Sequence, residues 1–270
     1  MSTKQPVLPF LKWPGGKRWA SCRIAALVRE RLTGTYYEPF LGGGAVFFRL
    51  RPAKAVLSDI NPELINTYRI VRNSVEEIVP LLKRMAVNKR NYNRLRRAEP
   101  ESPIQRAVRF LYLNRTAFGG IYRLNLRGEF NVPYGGGERK PNILWERPLL
   151  KNAADALATA DIRVTDFEAM IDLAKAGDVV YCDPTYTVAH DNNGFIRYNE
   201  KNFSWADQHR LACSAHRASQ RGVGVIISNA NHRTIRKLYP GARILVAERP
   251  SLVSCDVSKR RSVEELFILL

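Results

Sequence analysis

The amino-acid sequence predicts an α/β fold in which a parallel sheet is interrupted by an insertion. Short apolar segments typical of strands alternate with helical stretches toward both ends of the chain, whereas the middle is helical and then glycine-rich. Of the 270 residues, 45% are hydrophobic and 25% are charged, as in an ordinary globular protein. Fibrous, collagenous and wholly disordered classes are thereby excluded, and one large domain or two small ones remain.

The first third of the chain is typical of a βαβ arrangement. Strands are predicted at residues 36–40 and 55–58. Helices are predicted at residues 45–50 and 62–73, the second with Pro62 near its start, where proline is favoured.

The middle of the chain is predicted to be helical from residue 75 to 118. Ile104, Val108, Leu111 and Tyr112 recur at helical spacing on one face, so we expect them in the core. Residues 119–141 hold several glycines between alternating short segments, which predicts hairpin-like loops. Strands are predicted again at 162–164, 179–182, 224–228 and 266–269. A parallel sheet with an insertion fits this order.

Basic residues exceed acidic ones by 43 to 25, which gives a formal net charge of +18. A field of this sign attracts polyanions, so nucleic acid is the predicted partner. One basic cluster, with no acid between Glu77 and Glu99, is a candidate phosphate-facing surface; its members are Lys83, Arg84, Lys89, Arg90, Arg94, Arg96 and Arg97. For any one of them, a solvated helix face is an equally good interpretation.

Other classes of partner find no support in the sequence. No apolar run reaches the roughly 18 to 20 residues of a membrane span, and the first residues lack a signal peptide's apolar stretch. We therefore expect a cytoplasmic protein that binds no membrane. The four cysteines lie far apart and no histidines have metal-ligand spacing, so no metal is predicted and we expect reduced, mostly buried thiols.

The segment EPFLGGG at residues 38–44 follows a strand and opens a helix, so its glycines let a ligand approach the backbone closely. A dinucleotide fingerprint would place glycine where Phe47 stands, which favours a nucleoside cofactor without pyrophosphate. Asp59 ends the next strand, near the position where an acid accepts hydrogen bonds from ribose hydroxyls. Alternatively, Asp59 or Asn61 caps the helix that starts at Pro62, and both roles are compatible.

The segment VVYCDPTY at residues 179–186 is the strongest local signal. Methylation of an exocyclic amine requires acceptors for its two N–H protons, and the Asp183 carboxylate and the Pro184 carbonyl are suited to that role. Tyr186 is suited to stack on an extruded base. The alternative is an ordinary turn after a strand. Covalent catalysis by Cys182 is disfavoured, because a thiol within an apolar strand is inert.

With these motifs the sequence resembles the Dam-type DNA adenine-N6 methyltransferases, which have an amino-terminal cofactor half, a central target-recognition insertion and a late DPPY-type motif. The resemblance runs over most of the chain. Its motifs are FLKWPGGK at 10–17, EPFLGGG at 38–44, SDIN at 58–61, FLYLNR at 110–115, NLRGEFNVP at 125–133 and VVYCDP at 179–184.

The resemblance implies a Rossmann-like catalytic domain at residues 1–65 and 151–270 and a mostly helical DNA-reading insertion at 66–150, with a hairpin-like loop near 119–141. It implies a monomer that uses S-adenosylmethionine. The implied cofactor-binding residues are Trp13, Lys17, Phe40, Gly42, Gly44, Asp59 and Asp183, and the implied catalytic residues are Asp183, Pro184 and Tyr186.

For double-stranded DNA, the resemblance implies base contacts by Lys12 and Arg123, apolar contacts to a thymine methyl by Ile121 and Pro133, a phosphate contact by Arg96, and a wedge at Phe118. Arginine commonly grips guanine through two hydrogen bonds, and apolar side chains suit the thymine methyl. Together these matches imply a GATC-like target.

The chain departs from the family pattern at three positions. Thr185 replaces a proline, Gly119 replaces a polar side chain beside the flipped base, and Gly136 replaces a basic residue. We expect activity with a lower rate and looser recognition. The alternatives are a catalytically silent DNA-binding protein, an N4-cytosine methyltransferase, an RNA substrate and a nicotinamide-dependent oxidoreductase. The last of these conflicts with Phe47.

Overall fold

A seven-stranded sheet organises the chain, in a computed structural model that describes residues 7–125, 128–136, 147–187, 203–250 and 262–270. The strand order across the sheet is β3-β2-β1-β4-β5-β7-β6. The strands are β1 (Tyr36–Glu38), β2 (Ala55–Asp59), β3 (Ala160–Val164), β4 (Val179–Cys182), β5 (Gly224–Ala230), β6 (Arg243–Pro250) and β7 (Ser262–Leu269).

The centre of the sheet is parallel. Strand β1 pairs in parallel with β2 and β4, and Tyr36 lies opposite both Ala55 and Val179. Strand β5 is parallel to β4, with Cys182 opposite Ile227. The carboxyl ends of β1, β4 and β5 therefore meet at one edge of the sheet, the edge at which open α/β sheets bind ligands.

Nine α-helices accompany the strands in the described residues, together with short 3₁₀ turns at Lys17–Trp19 and Phe118–Gly120. They are α1 (Ser21–Arg29), α2 (Ala45–Leu50), α3 (Pro62–Lys83), α4 (Lys89–Arg97), α5 (Pro103–Thr116), α6 (Arg147–Leu157), α7 (Phe167–Asp172), α8 (Trp205–Gln220) and α9 (Arg233–Lys237). The continuous helical stretch predicted from 75 to 118 is therefore wrong in detail. It comprises the end of α3 and two separate helices, of which Asn88 caps α4 with its side chain.

Strand β6 was not predicted from the sequence. It pairs antiparallel with β7 over eight residues, from Arg243 opposite Leu269 to Pro250 opposite Ser262. The reason is its position at the edge of the sheet. Charged residues interrupt its apolar pattern, and Val246 is exposed while Ala247 is buried.

The contacts divide the chain into two compact units. Unit 1 comprises Met1–Ala25, Gly42–Ala53 and Asp59–Val164, and unit 2 comprises Ala26–Leu41, Lys54–Ser58 and Thr165–Leu270. In unit 1, aromatic rings of Phe10, Phe48 and Tyr68 pack together. In unit 2, apolar residues of the central strands, including Val180 and Ile227, form the core with α7 and α8. Within the described residues, no helix combines the length and apolar character that crossing a membrane requires.

Candidate active site and nucleic-acid interface

The glycine loop before α2, in unit 1, is shaped by side chains of the chain itself. Gly42 and Gly44 have φ of +46° and +64°, in the left-handed region that favours glycine. A Cβ at residue 42 would lie 2.8 Å from the indole of Trp13, and one at residue 44 would lie 2.9 Å from the Tyr68 hydroxyl. Packing against Trp13 and Tyr68 thus requires glycine at both positions. The sequence motif alone does not show this reason for the two glycines.

Trp13 continues from this loop into an aromatic stack. Its ring lies nearly parallel to that of Tyr122, with 6.4 Å between centroids, and Tyr122 in turn stacks on Phe110 of α5 at 4.5 Å. Burial raises the pKa of Tyr122 to about 12, so its hydroxyl is neutral at physiological pH. Nearby, the buried Lys17 donates from Nζ to the carbonyl of Gly15 at 3.0 Å.

Asp59 links the end of β2 to the glycine loop. Its Oδ2 accepts from the Gly42 N–H and its Oδ1 from the Asn61 N–H, both at 3.0 Å. Burial raises the pKa of Asp59, although the N–H groups of Asn61, Gly42 and Ile60 act in the opposite direction. A carboxylate has about four acceptor sites, so these three N–H groups leave it capacity to accept a ligand hydroxyl.

Asn61, rather than Asp59, is the cap of α3. Its Oδ1 accepts from the N–H groups of Glu63 and Leu64 at 3.0 and 3.1 Å. The sequence left both residues as candidates for capping. The structure thus gives the cap to Asn61 and leaves the Asp59 carboxylate on the glycine loop.

In unit 2, the segment that follows β4 carries the predicted catalytic residues. All four residues of β4 are buried, and Asp183 follows at the carboxyl end of the strand. Asp183 is half-buried, Pro184 is buried, and Thr185 is exposed. The threonine that departs from the family pattern is thus exposed, next to a buried Pro184.

Tyr186 is held by a carboxylate that the sequence analysis did not single out. Its hydroxyl donates to Oε2 of Glu265 at 2.9 Å, and Glu265 is 1% exposed. Burial, followed by the nearby Asp183 and Glu265 carboxylates, raises the pKa of Tyr186 well above its usual value. Glu265 lies within β7, directly before the apolar residues 266–269, and a charged residue next to a buried strand segment is the signal that could have identified it.

Glu38, the last residue of β1, and Phe40, two residues further along the chain, lie at the carboxyl end of this strand. Glu38 is 3% exposed and accepts from the Tyr36 hydroxyl at 2.8 Å. Phe40 is half-buried and packs on Phe167 at 5.3 Å and Phe203 at 5.5 Å between ring centroids. The Phe40 ring therefore packs against the core of unit 2.

Four of the six predicted DNA contacts lie on a hairpin formed by residues 117–134, of which 126 and 127 lie outside the described part; Lys12 precedes the glycine loop in sequence and Arg96 lies on α4. Antiparallel bridges join Ala117 to Tyr134 and Leu124 to Phe130. Arg123 donates from Nε to Asn131 Oδ1 at 2.8 Å. The exposed predicted contacts on this hairpin are Phe118, with 61% of its surface accessible, Arg123 and Pro133, whereas Ile121 is half-buried.

A family model described as D12 class N6 adenine-specific DNA methyltransferase matches residues 13–251 of this chain. The chain belongs to this family. The type II methyltransferase M1.LlaDCHI of Lactococcus lactis subsp. cremoris is 34% identical, with 96% of this chain and 94% of that protein covered. The DNA adenine methylase of Serratia marcescens is 35% identical, with 96% and 97% covered.

The resemblance drawn from the motifs is thereby confirmed, and the chain is an adenine-specific DNA methyltransferase with DNA as its substrate. A third relative, the type II methyltransferase M.MjaIII of Methanocaldococcus jannaschii, is 33% identical, with 97% of this chain and 99% of the relative covered. Among solved structures, a precorrin-6y C5,15-methyltransferase from Geobacter metallireducens GS-15 matches at 9% identity and a TM-score of 0.40, over 97% of each chain. A likeness of that degree adds nothing to the fold described above.

The basic cluster of this methyltransferase runs from the last residue of α3 to the last residue of α4. Six of its seven members are exposed and Arg96 is half-buried, with its Nη1 3.5 Å from the Val132 carbonyl of the hairpin. None of the seven makes an ion pair with the described residues. By contrast, the arginines of α8 are paired: Arg210 and Arg217 contact Glu168 at 3.1 and 2.9 Å.

The thiols of the methyltransferase differ in part from the prediction. Cys182 is buried as predicted, and burial followed by the Asp183 and Glu38 carboxylates raises its pKa far above the usual value, which favours an inert thiol. Cys22 and Cys213 are exposed, so the expectation of mostly buried thiols is wrong for the described cysteines. Both lie on the outer faces of amphipathic helices. Cys255 lies outside the described residues.

Proposed function

We propose that this chain transfers the methyl group of S-adenosylmethionine to N6 of adenine in duplex DNA, at a GATC-like site. Membership in the adenine-specific family supports the reaction. The position of Asp183 and Pro184 at the carboxyl end of β4 is the single observation that carries the assignment of the reacting residues.

The residues present fit S-adenosylmethionine better than a dinucleotide. Strands β1 and β2 end in Glu38 and Asp59, and β4 is followed by Asp183. Carboxylates after β1 and β4, both in unit 2, repel a pyrophosphate but suit a cofactor that carries a sulfonium and an ammonium group, whereas the acid that ends β2 suits the ribose of either cofactor. Phe47 stands at the third position of the dinucleotide fingerprint, where glycine is required, and its side chain is buried with 1% exposed.

The proposed cofactor-binding residues are Trp13, Lys17, Phe40, Gly42, Gly44, Asp59 and Asp183. Bound S-adenosylmethionine would supply an electrophilic methyl group on its sulfonium. The indole of Trp13 provides an apolar surface at the glycine loop, and the remaining acceptor capacity of Asp59 suits a ribose hydroxyl.

In the proposed mechanism, the Asp183 carboxylate and the Pro184 carbonyl accept the two N–H groups of adenine N6. These bonds draw the nitrogen lone pair out of the ring and direct it at the methyl group. A carboxylate oxygen of Asp183 also accepts the proton that the nitrogen loses. Tyr186, held through its hydroxyl by Glu265, stacks on the base after it leaves the duplex.

The hairpin and α4 are the proposed DNA-reading parts, within residues 66–150. Exposed Arg123 suits guanine, and Ile121 and Pro133 suit a thymine methyl. Phe118 suits the gap that a flipped base leaves in the stack. Lys12 and Arg96 complete the proposed contacts, to a base and to a phosphate.

The test is transfer of tritiated methyl from S-adenosylmethionine to duplex DNA that contains GATC and lacks adenine methylation. Asp183→Ala is expected to abolish incorporation while folding and gel-shift binding of DNA are retained. Asp161→Ala is the matched control, since Asp161 is exposed on β3 and pairs with Arg163. Digestion to nucleosides must place the label on N6-methyladenine.

Three outcomes would contradict the proposal. Equal incorporation by Asp183→Ala and the wild type would remove Asp183 from the mechanism. Label on cytosine would indicate N4 chemistry. DNA binding by the wild type without labelling at any enzyme concentration would indicate a silent DNA-binding protein.

A further inference from the structure

Asn114 is a buried polar residue near the end of α5, with no exposed surface. A buried amide is costly unless it is hydrogen-bonded, and Asn114 uses its side chain for three bonds, all to backbone outside the helix. Its Oδ1 accepts from the Lys12 N–H at 3.0 Å, and its Nδ2 donates to the carbonyls of Lys12 at 2.7 Å and Gly120 at 3.2 Å.

The two segments that Asn114 joins are also in direct steric contact. Gly120 has φ of +69°, and a Cβ at this position would lie 2.6 Å from Cβ and 2.8 Å from Cδ of Lys12. The aliphatic stem of Lys12 therefore lies against the backbone of Gly120. Asn114 bonds both partners of this contact and so fixes their relative position.

We propose that Asn114 is a positioning residue for the reading of DNA. It sets the distance between Lys12 and the turn that carries Phe118 and Ile121. The base contact by Lys12 and the insertion of Phe118 then fall on the same target site. Successive base pairs are about 3.4 Å apart, so a shift of about one ångström between the two segments spoils simultaneous contacts. This inference rests on the proposed function, which assigns DNA contacts to Lys12, Phe118 and Ile121.

Asn114→Asp tests the inference with little change of volume. The acceptor Oδ1 is kept, but the amide donor becomes a carboxylate oxygen that faces the carbonyls of Lys12 and Gly120. Repulsion then separates the two segments. The matched control is Thr116→Val, two residues along the same helix, because Thr116 is equally buried and its Oγ1 bonds only within α5, to the Tyr112 carbonyl at 2.6 Å.

The measured quantity is the ratio of kcat/KM for a GATC duplex to kcat/KM for duplexes with one base pair replaced. We expect this ratio to fall about tenfold in Asn114→Asp and to stay at the wild-type value in Thr116→Val. The ratio does not depend on the fraction of folded enzyme, so a merely structural role would leave it unchanged. An unchanged ratio in Asn114→Asp overturns the inference.

A second pair of variants applies if Asn114→Asp does not fold, as judged by circular dichroism. Gly120→Ala forces a Cβ into the Lys12 stem, whereas Gly241→Ala, between α9 and β6, adds one at φ of +77° with nothing within 4 Å. We expect the ratio to fall about tenfold only in Gly120→Ala. Equal ratios in both overturn the inference, and a wild type that methylates none of the duplexes overturns the proposed function instead.

Discussion

At the scale of single residues, hydrogen bonds within the chain orient exposed side chains of the hairpin. Arg123 is exposed, yet its guanidinium is oriented by Asn131, and the backbone N–H of Asn131 returns a bond to the Arg123 carbonyl at 3.1 Å. A side chain that is already oriented loses less entropy when it binds. This arrangement suits an arginine that reads one base through two parallel hydrogen bonds.

Arg123→Ala should therefore reduce discrimination at one guanine of the target by about 1–3 kcal/mol. The measurement compares methylation rates on duplexes that differ only at each base pair of the site. Arg94→Ala is the control, because Arg94 is exposed on α4 and bonds to Asn91 within that helix. A uniform loss of rate on all duplexes in Arg123→Ala would show that this arginine does not read a base.

At the scale of helices and strands, local capping explains why α8 begins where it does. Ser204 Oγ accepts from the Asp207 N–H at 3.1 Å, and Asp207 Oδ2 accepts from the Ser204 N–H at 2.9 Å. Burial alone would raise the pKa of Asp207, but the bonds from Ser204 and Arg210 outweigh it and lower the pKa. The carboxylate is therefore charged near neutral pH and stabilises the helix start.

Ser204→Ala should lower the free energy of unfolding by about 1 kcal/mol, because one N–H at the helix start loses its acceptor. Chemical denaturation followed by circular dichroism measures this change. Ser219→Ala near the other end of α8 is the matched control, since its side chain caps no N–H there. A loss of the same size in both variants would mean that capping is not the cause.

The helices and strands also show how far the sequence alone carries the analysis. Short apolar segments predicted β4, β5 and β7, since buried strands have a local signature, and the acids at residues 59 and 183 followed from the ends of strands. Contacts between distant residues have no such signature. Tyr186 and Glu265 are 79 residues apart, and Lys12 and Asn114 are 102 apart, so neither pairing was predicted.

At the scale of the whole molecule, the excess of positive charge is distributed unequally over the described residues. In unit 2, acids at the start of α7 and within α7 and α8 pair with arginines on or at the end of α8, as Asp166 does with Arg210 at 2.8 Å. In unit 1, the cluster on and before α4 has no such partners among the described residues. The net charge of +18 thus acts most strongly where the proposed DNA-reading parts lie.

Arg96→Ala should weaken DNA binding on all sequences and reduce the slope of log affinity against log salt by about 0.9, the value for one phosphate contact. Gel-shift titrations at several salt concentrations measure the slope. Arg217→Ala removes the same charge from a paired site on α8 and should leave the slope nearly unchanged. Identical slopes in the two variants would exclude a phosphate contact by Arg96.

The distribution of thiols has a practical consequence for spectroscopy. Cys22 is exposed in unit 1 and Cys213 is exposed in unit 2, while the sulfur of Cys182 is shielded and protonated. Once Cys255 is replaced by serine, maleimide dyes attach to one native position in each unit. Energy transfer between the dyes then reports any rearrangement of the two units when the enzyme engages a duplex.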